Sequence, residues 1–145
     1  MKLSELFQSE VVTVELDETV RQATERMKNK NVGAVVVVHD GKVAGILTDR
    51  DVALKVVAGS ATPESPVSDL MTKDVVTIWD DEGVFNATQY FSGRKYRRLP
   101  IIKREGTLGE GKLVGILTSD DVIAILAREL INVARALEPA LGERV

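Results

Sequence analysis

Apolar residues in this chain fall into two kinds of grouping. Some form short continuous runs: Val11 to Val14, Val32 to Val38, Val43 to Leu47, Val75 to Ile78, Leu99 to Ile102 and Leu113 to Leu117. Each reads as a short strand, and Val32 to Val38 and Leu99 to Ile102 are too apolar to be half-exposed, which suits β-strands covered on both faces. Others recur at helical spacing. Val20, Ala23 and Met27, and again Val84, Ala87 and Phe91, stand at i, i+3 and i+7, which places each trio on one face of a helix. Asp17 and Asp81 stand near the expected N-caps. His39-Asp40-Gly41-Lys42 carries the Asp-Gly signal of a tight hairpin. Further helices are expected to start near Thr48 and Thr118, and a short leading helix precedes each first strand. A last helix, Asp121 to Glu138, is expected to end at Pro139. It holds more Ile, Leu and Ala than a solvated tail needs, so it should pack on the domain or on a second copy of the chain.

The pattern occurs twice. With an offset of 64, Val11-Val12-Thr13-Val14 falls on Val75-Val76-Thr77-Ile78, Asp17-Glu18 on Asp81-Glu82, and Ala23-Thr24 on Ala87-Thr88. Ser4 and Leu6 likewise fall on Ser68 and Leu70. After an insertion at Glu105 to Glu110 the offset becomes 70, and Gly45-Ile46-Leu47-Thr48 matches Gly115-Ile116-Leu117-Thr118. The order β-α-β-β-α is therefore present twice, joined by a Pro-, Gly- and Ser-rich linker at Ala58 to Ser68. The expected fold class is α+β, sandwich-like, with two repeats packed through their sheets about a pseudo-twofold axis. Residues 1–62 form the first repeat, 63–130 the second, and 131–145 a C-terminal helical extension, together one domain.

Composition narrows the function. The 145 residues are 44% hydrophobic but only 4% aromatic, so the core must be aliphatic. A net charge of −3 disfavours nucleic acid and acidic membranes as broad partners. No Cys is present, which excludes disulfide and thiolate chemistry. No apolar run is long enough to span a bilayer, and the N-terminus has no secretory h-region, so an intracellular, cytoplasmic location is expected. His39, the one histidine, lies in a polar turn and cannot build a zinc site or a nucleophile–base pair by itself. Neither an enzyme nor a resident cofactor or metal is expected. Gly106 to Lys112 fits a G-x-x-x-x-G-K frame, but Leu113 replaces the metal-binding hydroxyl and the segment joins two strands. A longer hairpin explains it better. Trp79 is read as packing or interface.

One copy of G-h-h-T-x-x-D (h, apolar) closes the third strand of each unit: Gly45-Ile46-Leu47-Thr48-Asp49-Arg50-Asp51 and Gly115-Ile116-Leu117-Thr118-Ser119-Asp120-Asp121. With the β-α-β-β-α order and the Arg98 to Ile102 strand, they resemble the cystathionine-β-synthase (CBS) domain, over about Leu3 to Leu130. A tandem pair of this kind is called a Bateman module. The resemblance implies a regulatory module that binds adenosyl ligands between its two repeats, forms homodimers and signals to a separate effector protein. AMP, ADP or ATP is the implied ligand, ahead of S-adenosylmethionine and NAD. A ligand-free structural or dimerisation module is the alternative.

The residues allow this chemistry. Thr48 and Asp51, and Thr118 and Asp121, stand three apart where a strand meets a helix. A carboxylate there can accept hydrogen bonds from both ribose hydroxyls, and the helix start offers free N–H groups to phosphate. Thr-x-x-Asp is equally a capping box, and one residue can serve both purposes. Arg97 and Arg98 enter the second unit's buried strand, where the family places cations against phosphate. Strand alternation allows one of the two to face the cleft; Arg97 is the expected one. Arg50 and Asp120 occupy equivalent motif positions with opposite charge. Val32, Gly33 and Tyr96 stand where the family contacts adenine. One cleft should join Thr118, Asp121 and Arg97 to Val32 and Gly33, and the other Thr48, Arg50 and Asp51 to Tyr96. The two clefts are expected to be unequal.

Overall fold

The computed structural model describes residues 2–6, 11–93, 96–106 and 110–142. The first unit contains α1 (Leu3–Leu6), β1 (Thr13–Glu15), α2 (Val20–Lys30), β2 (Ala34–His39), β3 (Lys42–Thr48) and α3 (Asp49–Val52), which runs on as a π-helical turn at Ala53–Val57. The second contains α4 (Val67–Leu70), β4 (Ile78–Trp79), α5 (Val84–Phe91), β5 (Arg98–Glu105), β6 (Glu110–Thr118) and α6 (Ser119–Gly142). Each unit holds one three-stranded sheet in chain order, with its first pair of strands parallel and its second antiparallel. The expected α+β class with two β-α-β-β-α repeats is what forms.

The two faces of each sheet have different jobs. Val35, Val37 and Leu47 turn inward against Val20, Ala23 and Met27 of α2, forming the first core. Leu99, Ile101 and Leu117 do the same against Val84 and Ala87 of α5. Val36 is also fully buried yet belongs to neither core. Successive strand residues alternate faces, so Val36 and its cross-strand partner Ile46 point to the opposite side, where β3 meets β6. The runs are unbroken because both sheet faces are covered.

Packing crosses the boundary drawn between residues 62 and 63. Leu3, on α1, is fully buried in the second unit's core, while Val67 and Leu70, on α4, are buried in the first. Backbone bonds fix this exchange reciprocally: Leu3 N–H donates to Glu82 O at 3.0 Å and Val67 N–H to Glu18 O at 2.9 Å. The short bridges Lys2–Gly83 and Thr19–Pro66 are equivalent under the repeat. Each unit thus completes its core with the leading helix of the other.

Local details differ from the sequence expectation in four places. Strand β4 takes in only Ile78 of the expected Val75 to Ile78 run and continues to Trp79. The α2 cap is Thr19, whose hydroxyl accepts from Gln22 N–H while the Gln22 side chain accepts from Thr19 N–H. Asp17 lies in the preceding turn, because Thr-x-x-Gln closes the reciprocal box. Gly83, without a side chain, caps α5, so Asp81 is not the cap either; Asp81 instead meets Arg104 at 3.4 Å, and Arg104 stacks 4.3 Å over Trp79. Helix α6 does not stop at Pro139 but runs to Gly142. Proline's φ fits a helix, and a single missing N–H near the end costs one bond. Thr107 to Gly109, at the tip of the inserted hairpin, lie outside the described residues; the strands beside them pair out to Glu105 and Glu110. Among the described residues no helix is long and apolar enough to cross a membrane.

Gly45 shows why the motif begins with glycine in the first unit. A Cβ there would stand 2.6 Å from both Met71 Sδ and Thr72 O, where the chain leaving α4 bridges to Ile46. Gly115 has room by comparison, with Ile101 Cδ1 at 3.2 Å as the nearest atom. Gly45→Ala is therefore expected to cost on the order of 1–3 kcal/mol through overpacking, and Gly115→Ala less. Urea midpoints of the two variants measure the difference.

An ion pair ties α2 to the turn before it. Arg26 Nη1 donates to Glu18 Oε2 at 2.6 Å and to Thr13 O at 3.0 Å. The Arg26 hydrogen bond, offset in part by desolvation, holds the Glu18 carboxyl below its ordinary range. A depressed carboxylate pKa stabilises the fold above the unfolded value of about 4.3 and loses that contribution as pH falls through the lower folded value. Both side chains are partly exposed, so screening keeps the effect below ~1 kcal/mol. Arg26→Met should flatten the fall in melting temperature between about pH 5 and pH 3; a melting series over that range tests it.

Candidate functional site

The start of β2 and the end of β6 approach each other between the units. There a cleft of about 240 Å³ opens, lined by Val11, Val12, Val32, Gly33, Ala34 and Val36 from the first unit and by Arg98, Ile116 and Thr118 from the second. Among the described residues its wall is aliphatic, with one cation and one hydroxyl. Arg98 is half-buried, and among the described residues it has no hydrogen-bond or ion-pair partner. A guanidinium held free at the mouth of an apolar cleft presents a planar fork of donors, which matches carboxylate or phosphate oxygens.

Backbone pairing explains which arginine enters. Arg98 is the first residue of β5 and lies opposite Thr118, so both side chains emerge on the cleft side. Arg97 stands one residue earlier, and its carbonyl accepts Ser119 N–H at 3.2 Å. Its side chain is exposed and lies outside the cleft lining. The expected preference for Arg97 is thus reversed. In the first unit Gly33 makes the equivalent bond, accepting Asp49 N–H at 2.9 Å. A Cβ on Gly33 would stand 3.1 Å from Asp49 Oδ2, so the bare backbone keeps this edge of the cleft open.

Both Thr-x-x-Asp motifs are reciprocal capping boxes. Asp121 Oδ2 accepts Thr118 N–H at 2.9 Å, and Thr118 Oγ1 accepts Asp121 N–H at 3.1 Å. Thr48 and Asp51 form the same pair of bonds at 3.0 and 3.1 Å. Capping occupies one carboxylate oxygen and leaves the hydroxyl hydrogen free, so the residues can still bond a ligand. The copies differ in the remaining oxygen. Asp51 Oδ1 lies 3.9 Å from Lys55 Nζ, which also donates to Leu70 O. Position 125, equivalent to Lys55, is Ile, and among the described residues Asp121 has no ion-pair partner.

Of the expected site residues, the structure brings Val32, Gly33, Arg98 and Thr118 together in this cleft. Asp121 adjoins through its bonds to Thr118. Thr48, Arg50 and Asp51 stand at the start of α3, outside this lining, with Arg50 exposed. Asp120 is exposed on the first turn of α6. Tyr96, expected at an adenine, packs half-buried against the second core. Val11, Val12, Ala34, Val36 and Ile116 complete the lining and were read only as strand core. Strand alternation counted from Gly33 would have placed Ala34 and Val36 on one shared face. A larger hollow of about 730 Å³ lies at the hairpin end, between Asp40-Gly41-Lys42 and Gly111-Lys112. Lys112 there is already paired with Glu105 at 3.5 Å.

A family model described as the CBS domain matches residues 3–58 and again residues 67–128. The chain belongs to the CBS-domain family. The CBS domain-containing protein YhcV of Bacillus subtilis is 35% identical over 114 residues, covering 79% of this chain and 77% of its own length. The CBS-domain containing protein ATU1752 from Agrobacterium tumefaciens superposes with a TM-score of 0.69 at 31% identity, covering 86% of this chain and 97% of that one. The CBS domain pair of protein MJ0100 shares the fold, with a TM-score of 0.73 at 22% identity and coverage of 89% and 98%. Each matched CBS segment begins with a leading helix that packs into the other unit's core, so the repeat in sequence and the unit of packing are offset by that helix.

Proposed function

We propose that this CBS pair is a regulatory binding module for an adenosyl ligand of the AMP, ADP or ATP class, and that it signals to a separate partner protein in the cytoplasm. The observation that carries the reading is the cleft itself, an aliphatic slot between the repeats with Thr118 beside it and Arg98 at its edge, a cation without a partner among the described residues. A planar base suits the Val11, Val32 and Ile116 walls. Phosphate suits Arg98, and a ribose diol suits the free oxygen of Asp121. The MJ0100 pair was solved in complex with 5′-methylthioadenosine and S-adenosyl-L-methionine, which supports the ligand class by analogy of fold. The cleft volume is at the small end of ligand pockets, which run from ~300 Å³ upward. It fits a nucleoside moiety with its phosphates at the mouth better than an enclosed triphosphate.

Isothermal calorimetry of the whole chain against AMP, ADP, ATP, NAD, 5′-methylthioadenosine and S-adenosylmethionine tests the reading. Micromolar binding of at least one is expected, and Asp121→Ala should weaken it more than Asp51→Ala. The absence of any binding tighter than millimolar removes the sensor reading. A second reading, a structural or dimerisation module without ligand, is favoured by the uncovered apolar residues of α6. It requires a melting temperature indifferent to nucleotide.

A further inference from the structure

The helices that follow the two motifs part company after about one turn. Helix α6 runs straight on and leaves the domain. Val122 and Ile125 pack on the second core, but from Leu126 to Glu138 every residue is exposed, so α6 does not lie along its own domain, one of the two placements expected for it. After α3 the chain takes a π-helical turn at Ala53–Val57 and folds back. Ala61 N–H donates to Lys55 O at 3.0 Å. A Cβ on Gly59 would stand 2.5 Å from that same oxygen, so a glycine is needed where the linker closes over Lys55. The Lys55 side chain is fixed at its far end as well. Its Nζ donates to Leu70 O and lies 3.9 Å from Asp51 Oδ1. The other Asp51 oxygen, Oδ2, accepts Thr48 N–H at 3.0 Å. Both oxygens of the first motif's carboxylate are thus engaged within the chain.

Resting on the adenosyl reading above, we infer that Lys55 is a tethered occupant of the first motif, so that the chain takes one adenosyl ligand, beside Thr118 and Asp121, and not two. A ribose diol donates to a carboxylate oxygen that is free to accept. A hydroxyl oxygen in line between Asp51 Oδ1 and Lys55 Nζ would need roughly 5.4 Å, two short hydrogen-bond lengths; the two atoms are 3.9 Å apart. Moving the ammonium aside breaks its bond to Leu70 O and leaves that carbonyl without its donor. The second motif carries no such competitor. Ile125 stands at the equivalent place and offers no donor, and Asp121 spends only Oδ2 on its cap. The Lys55–Asp51 pair is itself partly exposed, so it adds little to stability. Its effect falls on what the motif can bind.

Titrating the full chain with adenosine, followed by ¹⁵N-HSQC, tests it on the wild type, Lys55→Ile and Lys55→Met. Adenosine carries the diol without phosphate, so the contrast between Arg98 and its equivalent Ala34 does not enter. In the wild type the amides of Thr118 and Asp121 should shift while those of Thr48 and Asp51 stay in place. In both variants a second saturable set should appear at Thr48 and Asp51, at least about tenfold tighter than in the wild type, with the Thr118 and Asp121 curves unchanged. Lys55→Ile copies the second repeat; Lys55→Met keeps the stem and removes the ammonium. Wild-type shifts at Thr48 and Asp51 that saturate as readily as in the variants overturn the inference. So do variants that respond only at Thr118 and Asp121. Either result leaves the adenosyl reading standing. Shifts at neither motif in any of the three chains, with adenosine or with AMP, remove the adenosyl reading and this inference together.

Discussion

Leu3→Ala is expected to loosen the second unit, the one it does not belong to in sequence. Leu3 is fully buried there beside Ile78, Leu99 and Leu117, and its backbone is tied to Glu82. Truncating a buried leucine costs about 2–5 kcal/mol, through lost transfer energy and the cavity left behind. Because the two cores are distinct, the loss should appear first where the cavity opens. Native-state hydrogen exchange should show β5 and β6 losing protection ahead of β2 and β3. Leu70→Ala, on the leading helix exchanged in the other direction, should reverse that order. If Leu3→Ala exposed β2 and β3 first, the reciprocal packing would be wrong.

The largest functional effect is expected at Arg98. Among the described residues its guanidinium is the one charge lining the cleft, and a hydrogen bond to a charged group contributes about 1.5–3 kcal/mol. Arg98→Met keeps much of the aliphatic stem and removes the fork. It should weaken AMP binding roughly ten- to a hundred-fold while leaving the melting temperature of the free protein nearly unchanged. Arg97→Met, one residue away and exposed, should change affinity less than twofold. A larger loss at Arg97 than at Arg98 in parallel calorimetric titrations would show that the phosphate lies on the other side of β5.

These residues also show where sequence suffices. The six apolar runs, the Asp-Gly hairpin and the two Thr-x-x-Asp junctions report local physics: alternation, turn geometry and capping. Each is visible because the residues that define it are near neighbours. Asp40 and Gly41 do adopt positive φ, 49° and 75°, as the tight turn demands. Even so, the caps of α2 and α5 were misplaced, because Asp17 and Asp81 are good capping residues that fall in a turn. The exchange of α1 and α4 was not visible. Leu3 and Leu70 are apolar positions on short helices, and nothing local says which core receives them. The choice between Arg97 and Arg98 depended on where β5 begins, and a shift of one residue reverses every side chain.

The asymmetry between the repeats was visible in outline and sharper in three dimensions. Ala34 and Arg98 are equivalent positions, and both line the same cleft. One supplies space and the other charge, so a single ligand could draw on both repeats at once. Lys55 beside Asp51, with Ile125 at the equivalent place, adds a second difference that the motif alone does not encode.

The central claim is that an adenosyl ligand occupies the cleft between the repeats. An ¹⁵N-HSQC titration of the full chain with AMP tests it most directly. The account predicts saturable shifts at the amides of Val32, Gly33, Ala34, Arg98, Thr118 and Ser119, with little change at Asp40 to Lys42. Absence of shifts at millimolar AMP and the other adenosyl ligands, or shifts confined to the hairpin end around Gly41 and Gly111, would contradict it.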